Sequence, residues 1–273
     1  LDSMNNLDDK LIVNKIIMSQ KKEYYTINEP DKLLEFINGE LKPKEKEKKE
    51  NGEVFTPLSL VNEMLDNLDE AYINEHGKSI FTEVDFKWFD PAAGIGNFPI
   101  IVYQRLMKGL NITDEEEKRR HILENMIYAA ELTTKNVFIY NKIFCSDKYK
   151  LNIYEGNTLA MIETKKKDDL VIWQEQPGWF KNKFNFKLSE NFGGFDVVMG
   201  NPPYNADGTK HEGTKNIYVR FSELAFNSWL NPNGYFVFIH PPAYRLPNHK
   251  IKGSQTDLNA IYTEKKILYI RMY

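Results

Sequence analysis

The segment of this chain best equipped for chemistry is Asn201-Pro202-Pro203-Tyr204, directly after the apolar run Phe195-Asp196-Val197-Val198-Met199-Gly200. Two prolines fix φ, restrict the residue before each of them and remove two backbone donors, so they make a stiff ledge with carbonyl oxygens facing one way. A plain Pro-Pro turn would do that much. It would not account for an amide side chain before the prolines and an aromatic ring after them. The Asn201 side-chain oxygen and the Pro202 carbonyl can accept both hydrogens of a planar amino group whose lone pair is delocalised into a ring. Held in this way, the nitrogen is drawn toward tetrahedral geometry and its lone pair is freed, a stabilisation of the transition state rather than proton removal. Tyr204 offers a flat surface for the ring that carries the amine, and stacking of this kind is worth about 1–3 kcal/mol per base.

A second constellation lies upstream, in Phe89-Asp90-Pro91-Ala92-Ala93-Gly94-Ile95-Gly96-Asn97-Phe98. A glycine-rich turn between a strand and a helix lets backbone approach a ligand closely at the carboxyl end of a sheet. The Gly-x-Gly spacing lacks the third glycine of the dinucleotide fingerprint, which disfavours a nicotinamide cofactor. Asp90, at the strand tip, can instead pair with a cationic ammonium group such as a methionine moiety presents. Glu131 closes the next apolar run, Tyr128-Ala129-Ala130-Glu131-Leu132, and can accept two hydrogen bonds from a ribose diol, although a solvated strand end gives the same residue type. Tyr154-Glu155-Gly156-Asn157-Thr158-Leu159 offers Asn157 to an adenine ring edge, or is a simple turn.

These residues need a scaffold that brings strand ends to one edge. Short apolar runs alternate with helical periodicity from Gly52 onward, the pattern of a parallel sheet built from βα units. The strand candidates are Lys87 to Phe89, Met126 to Ala130, Asn152 to Tyr154, Phe195 to Met199, Tyr235 to His240 and Ile267 to Met272. Helices are predicted at Leu58 to Leu68, Phe98 to Gly109, Thr134 to Phe144, Ile217 to Leu230 and Gln255 to Lys265, the first opened by Thr56-Pro57. Residues 1–50 form a separate helical and charged segment ending in alternating Lys and Glu from Lys42 to Glu50, so the catalytic domain is expected over 51–273. Residues 163–194 interrupt the rhythm. This stretch mixes lysines with Trp173, Trp179, Phe180, Phe184 and Phe186, which suits contact with nucleic acid and equally suits an apolar flap packed on the domain.

Composition narrows the classes. The apolar fraction of 41% supports a full α/β core. No apolar stretch approaches the roughly 20 residues that a bilayer span needs, and no signal-peptide pattern opens the chain, so a soluble, cytoplasmic protein without membrane contact is expected. The one cysteine, Cys145, excludes an internal disulfide framework, a Cys-rich zinc site and cytosine-C5 chemistry, and the five histidines lack paired-ligand spacing, so no metal is expected. A net charge of −3 is low for a protein that grips phosphates, which places part of any DNA-binding surface outside this chain or concentrates its basic residues on one face.

Asn201-Pro202-Pro203-Tyr204 after a strand, with Asp90-Pro91-Ala92-Ala93-Gly94-Ile95-Gly96-Asn97-Phe98 upstream, resembles the N6-adenine DNA methyltransferases of restriction-modification systems. Gly52-Glu53-Val54-Phe55-Thr56-Pro57, placed before the glycine turn, is similar to the gamma class of that family. The resemblance covers about Gly52 to Tyr273. It implies a doubly wound, Rossmann-like α/β fold with a mostly parallel seven-stranded sheet and a reversed C-terminal hairpin. S-adenosyl-L-methionine is the implied cofactor and double-stranded DNA, with its adenine flipped out, the implied substrate. The catalytic residues would be Asn201, Pro202, Pro203 and Tyr204. The cofactor would meet Phe55, Thr56 and Pro57 at its methionine end, the turn residues Asp90, Pro91, Ala92, Gly94, Gly96 and Asn97, then Glu131, Leu132, Asn157 and Thr158, with Asn201 shared between both halves.

Two departures bear on this. The family usually has Asp where Asn157 stands, and it carries a second aromatic for the flipped base and a target-recognition domain after the hairpin. The chain stops at Tyr273, so a recognition domain or specificity subunit beyond it is expected to read sequence. The alternatives are a protein glutamine N5-methyltransferase, which shares the Asn-Pro-Pro-Tyr tetrad, an RNA base methyltransferase, a cytosine-N4 enzyme, and a non-catalytic binding subunit.

Overall fold

The computed structural model describes residues 26–29, 32–33, 56–159, 194–204, 217–242, 258–263 and 265–268. Five strands form one sheet in the order β3-β2-β1-β4-β5, and every pairing is parallel. They are β1 (Trp88–Asp90), β2 (Ile127–Glu131), β3 (Asn152–Glu155), β4 (Phe195–Gly200) and β5 (Leu230–Phe238). The helices are α1 (Leu58–His76), α2 (Asn97–Gly109), α3 (Glu115–His121), α4 (Thr134–Ile143), α5 (Ile217–Leu224) and α6 (Leu258–Thr263).

The strands alternate their side chains between two apolar layers, as a period of two requires. Trp88, Ile127, Ala129, Val197 and Met199 share a core with α1, α2 and α4. Phe89, Tyr128, Ala130, Phe195 and Val198 pack with Phe221, Leu224, Ala225 and Trp229 from α5 and the turn that follows it. Helices therefore cover both faces of the sheet, the doubly wound arrangement. Large side chains such as Trp88, Phe89, Phe195 and Trp229 are almost fully buried, and each stabilises the fold by about 1.5–3 kcal/mol. Asp196 aligns three strands at their starts: its carboxylate accepts from the Lys87 backbone N–H (2.7 Å) and from Asn231 Nδ2 (2.6 Å).

Apart from the last strand candidate, most of which lies outside the described residues, the expected elements are present, with four differences. α1 continues past Leu68 to His76, because Tyr72 extends the buried stripe of Leu58, Val61, Leu65 and Leu68, and it stops where Gly77 turns left-handed at φ 73°. α3 has no buried residue and so leaves no apolar periodicity to read; it is held by the Asp114 cap on Glu117 N–H and by acidic first and basic last turns. α5 ends at Leu224 and gives way to a wide π-helical turn at Ala225–Trp229. β5 begins at Leu230, but its register shifts before Tyr235, where regular pairing with Val197 resumes, because Asn231-Pro232-Asn233-Gly234 bulges out.

The seven-stranded sheet is seen as five strands among the described residues, and the reversed hairpin lies outside them. Ile267 and Leu268, the described start of the last strand candidate, are exposed and not paired in the sheet. The Lys42–Glu50 run, Phe55 and the insertion up to residue 193 also lie outside. From residues 1–50, Ile27 and Leu33 are buried in the core, and Ile27 N–H donates to the Ile143 carbonyl (3.0 Å).

Candidate active site

In a parallel sheet all carboxyl ends lie on one edge, and ligands bind where the strand order reverses. That reversal falls between β1 and β4, neighbours whose chains depart to opposite sides. Asp90 ends β1 and Asn201 follows β4. Glu131 ends β2, Asn157 and Thr158 follow β3, and His240 lies just beyond β5.

Asp90 is buried, at 2% exposure. Its Oδ1 accepts from the Ala92 N–H at 3.1 Å. Burial pushes its carboxyl up to about 8, the Ala92 hydrogen bond pulls the other way, and the charge that acts on it, the Glu131 carboxylate, has its own sign and raises it further. Such a group gains most from a cationic partner. Gly200, immediately before Asn201, backs directly onto Asp90: a methyl group at its α-carbon would lie 2.8 Å from Asp90 Oδ1, and its φ of 153° is one that side chains avoid.

The glycine turn is tied down by its own amides. Ala92 N–H bonds to Asp90, Ala93 N–H to the Ala130 carbonyl, Gly94 N–H to Glu131 Oε2 and Gly96 N–H to the Ala93 carbonyl. Donors spent in this way do not form a phosphate nest, which agrees with the missing third glycine of the dinucleotide fingerprint. Gly94 and Gly96 take positive φ (57° and 100°). Beneath Gly96 the stacked rings of Tyr140 and Phe144 leave no space for a methyl group, with contacts of 3.0 and 2.9 Å.

Asn97 opens α2 and joins two separated motifs. Its Nδ2 donates to the Thr56 carbonyl (2.8 Å), fastening the Thr56-Pro57 segment beside the turn. Its Oδ1 is buried with no hydrogen-bond partner among the described residues, an acceptor that suits a donor from a ligand. Glu131, also buried, is oriented by four donors. Thr133 N–H, Thr133 Oγ1–H and Asn136 Nδ2 converge on Oε1, and among the described residues Oε2 accepts from Gly94 N–H only. Leu132 beside it is 64% exposed, the most open large apolar side chain described. Thr158 is buried with its hydroxyl on the Pro91 carbonyl (2.8 Å), while Asn157 Oδ1 caps Leu159 N–H in a turn of its own.

At the ledge, Pro202 is buried, Asn201 and Pro203 are half-buried, and Tyr204 is exposed. The Ile239 N–H donates to the Gly200 carbonyl and the Ile217 N–H to the Tyr204 carbonyl, both at 3.1 Å, so β5 and α5 hold the ledge from two sides. Sequence reasoning passed over Gly200, Thr133, Asn136, Tyr140 and Phe144. Only Gly200 had a local signal, as a glycine abutting the tetrad; the others act from elements whose packing no spacing reveals. Among the described residues no cluster of His, Cys, Asp and Glu could hold a metal, and no helix is long and apolar enough to cross a membrane.

A family model described as Eco57I restriction-modification methylase matches residues 123–270, more than half of the chain and inclusive of Glu131 and the tetrad. The chain belongs to the Eco57I restriction-modification methylase family. As a member of the Eco57I family it is 26% identical over 256 residues to an uncharacterized adenine-specific methylase of Mycoplasma pneumoniae (strain ATCC 29342 / M129), covering 74% of this chain and 57% of that protein. It thus spans little more than half the length of that relative. Among solved structures it is similar to a nuclease-deletion mutant of the Type ISP restriction-modification enzyme LlaGI in complex with a DNA substrate mimic. That likeness has a TM-score of 0.51 and 18% identity, and covers 71% of this chain and 18% of the other. It is also similar to the ATP-dependent Type ISP restriction-modification enzyme LlaBIII bound to DNA, with a TM-score of 0.50, 19% identity, and coverage of 73% and 16%. These likenesses bear on the fold alone, a Rossmann-like α/β fold.

Proposed function

We propose that this chain is the catalytic part of a site-specific DNA methyltransferase of a restriction-modification system, acting from S-adenosyl-L-methionine on N6 of a flipped-out adenine in double-stranded DNA. The observation that carries this reading is the close approach of Gly200 to Asp90. It sets the amine-gripping ledge against the buried carboxyl that suits the donor's ammonium, at the point where the strand order reverses.

The residues fit such a donor. Asp90 would hold the ammonium in its ionised form, and the Asn97 Oδ1 would accept from a donor of the ligand. Glu131 Oε2 would accept from the ribose, Leu132 would cover an apolar face, and the loop at Asn157 and Thr158 would close the far end; the family resemblance assigns Phe55, Thr56 and Pro57 to the methionine end. When bound, the cofactor supplies a methyl group made electrophilic by a sulfonium. The Asn201 side-chain oxygen and the Pro202 carbonyl accept the two N–H bonds of the target amine and turn its lone pair toward that methyl. Pro203 stiffens the ledge and Tyr204 stacks on the base. Transfer to the amine nitrogen would leave the sulfur with its electron pair, and the extra amine proton would pass to solvent afterwards.

We assign sequence reading to a target-recognition domain or specificity subunit beyond residues 1–273, and the cytoplasm as the compartment. Transfer of labelled methyl groups by the full chain, together with its recognition partner, to plasmid DNA, RNA and glutamine-containing peptides tests the reading. Label confined to DNA adenine supports it; label confined to RNA or peptide refutes it.

A further inference from the structure

Tyr204 is only as useful to an incoming base as it is fixed, and the described structure shows what stands behind it. Tyr218, in the first turn of α5, meets the Tyr204 ring edge-on, with centroids 6.2 Å apart and planes at 78°. Tyr218 is 3% exposed while Tyr204 is 36% exposed, so one ring is a buried backing for the other. Tyr218 also runs nearly parallel to the imidazole of His240, with centroids 5.9 Å apart and planes at 11°.

His240 is itself anchored through both ring nitrogens. Nδ1 lies 2.8 Å from the Pro241 carbonyl, which can only accept, so Nδ1 carries the hydrogen. Nε2 is then the acceptor for the Tyr262 hydroxyl at 2.6 Å. Burial favours the neutral ring that this pattern requires. Tyr262 belongs to α6 and packs edge-on against Phe226 and Phe236. The relay from α6 through His240, just beyond β5, to α5 thus ends on the exposed ring beside the ledge.

We propose that Tyr218 and His240 are positioning residues for base capture, holding Tyr204 in its stacking orientation through a relay fixed by the Tyr262–His240 hydrogen bond. This rests on the methyltransferase reading above. A ring ordered before the base arrives loses less freedom on stacking, so the relay acts on target capture and not on the cofactor.

The test uses the full chain with its recognition partner and a duplex carrying 2-aminopurine at the mapped target adenine. Fluorescence reports flipping, steady-state kinetics on the natural duplex give KM and kcat, and calorimetry gives the cofactor Kd. Tyr218→Leu should raise the DNA KM about 3- to 10-fold and weaken the flipping signal, with cofactor Kd within about twofold of wild type. Tyr218→Phe should restore both, and Tyr262→Phe, which removes only the hydroxyl and preserves packing, should fall between. A wild-type KM and flipping signal in both Tyr218→Leu and Tyr262→Phe would overturn the proposal, as would a cofactor Kd that weakens in step with KM. If Tyr204→Ala impairs capture while those two variants do not, only the relay fails. If Tyr204→Ala is also silent, the base-binding reading fails with it.

Discussion

Gly200 backs onto Asp90 across neighbouring strands, leaving no room between its α-carbon and the carboxyl for a side chain. One residue ends the strand that leads into the target ledge, and the other ends the strand that leads into the cofactor turn. Gly200→Ala should therefore damage both halves at once. The added methyl would lie 2.8 Å from a carboxyl that is itself buried, at a φ of 153°. A loss of roughly 1–3 kcal/mol in stability is expected, with weaker cofactor binding and lower turnover. Denaturant melts and cofactor titration check it; a variant normal in both would show that the contact is slack.

Asp90 gives the site a pH signature. Its carboxyl is raised to about 8 in the folded chain from an ordinary value near 4. The folded state therefore holds a proton that the unfolded chain releases, so the group's stabilisation is full below pH 4 and is lost as pH rises through 8. Asp90→Asn should flatten this dependence and raise Tm at pH 8. Because pairing with an ammonium requires the ionised form, wild-type cofactor affinity should rise about tenfold per pH unit from 6 toward 8. Calorimetry in buffers of different ionisation enthalpy measures the proton released, and binding with no proton release would contradict the assignment.

Glu131→Gln keeps the shape of the side chain but sets an NH₂ group against donors. Gly94 N–H, Thr133 and Asn136 all point at the present carboxylate. Charge-assisted hydrogen bonds contribute about 1.5–3 kcal/mol each, so losing one should raise the cofactor Kd roughly 10- to 100-fold. The DNA KM, measured at saturating cofactor, should move far less.

Much of this site was legible before any coordinates, because its residues sit at strand ends and strand ends announce themselves. Asp90, Glu131 and Asn201 each follow a short apolar run, and a parallel sheet leaves them no edge but one. The prolines and glycines carry backbone geometry in their identity. What could not be read was held by partners distant in sequence: Asn97 on Thr56, Thr158 on Pro91, and the Tyr204–Tyr218–His240–Tyr262 relay, whose members are joined by packing that no spacing encodes. The solvated helix α3 escaped for the opposite reason, since it buries nothing and is written in charge and capping alone.

Gly96→Ala isolates the donor half. The methyl would press on Tyr140 and Phe144 at 3.0 and 2.9 Å and sit at a φ of 100°. Roughly 1–3 kcal/mol of destabilisation is expected. Partial relief by Phe144→Leu in the same chain would confirm that the rings, and not the turn's backbone alone, make the glycine necessary.

The most direct measurement is transfer by Asn201→Ala. Wild-type and variant chains, each with its recognition partner, are expressed with a plasmid, and N6-methyladenine is mapped along the recovered DNA while cofactor affinity is measured separately. The account predicts a defined set of methylated adenines for the wild type and none for Asn201→Ala, with the variant still binding cofactor. Methylation by Asn201→Ala at the wild-type rate would contradict it, because the amine would then be activated by something other than the ledge.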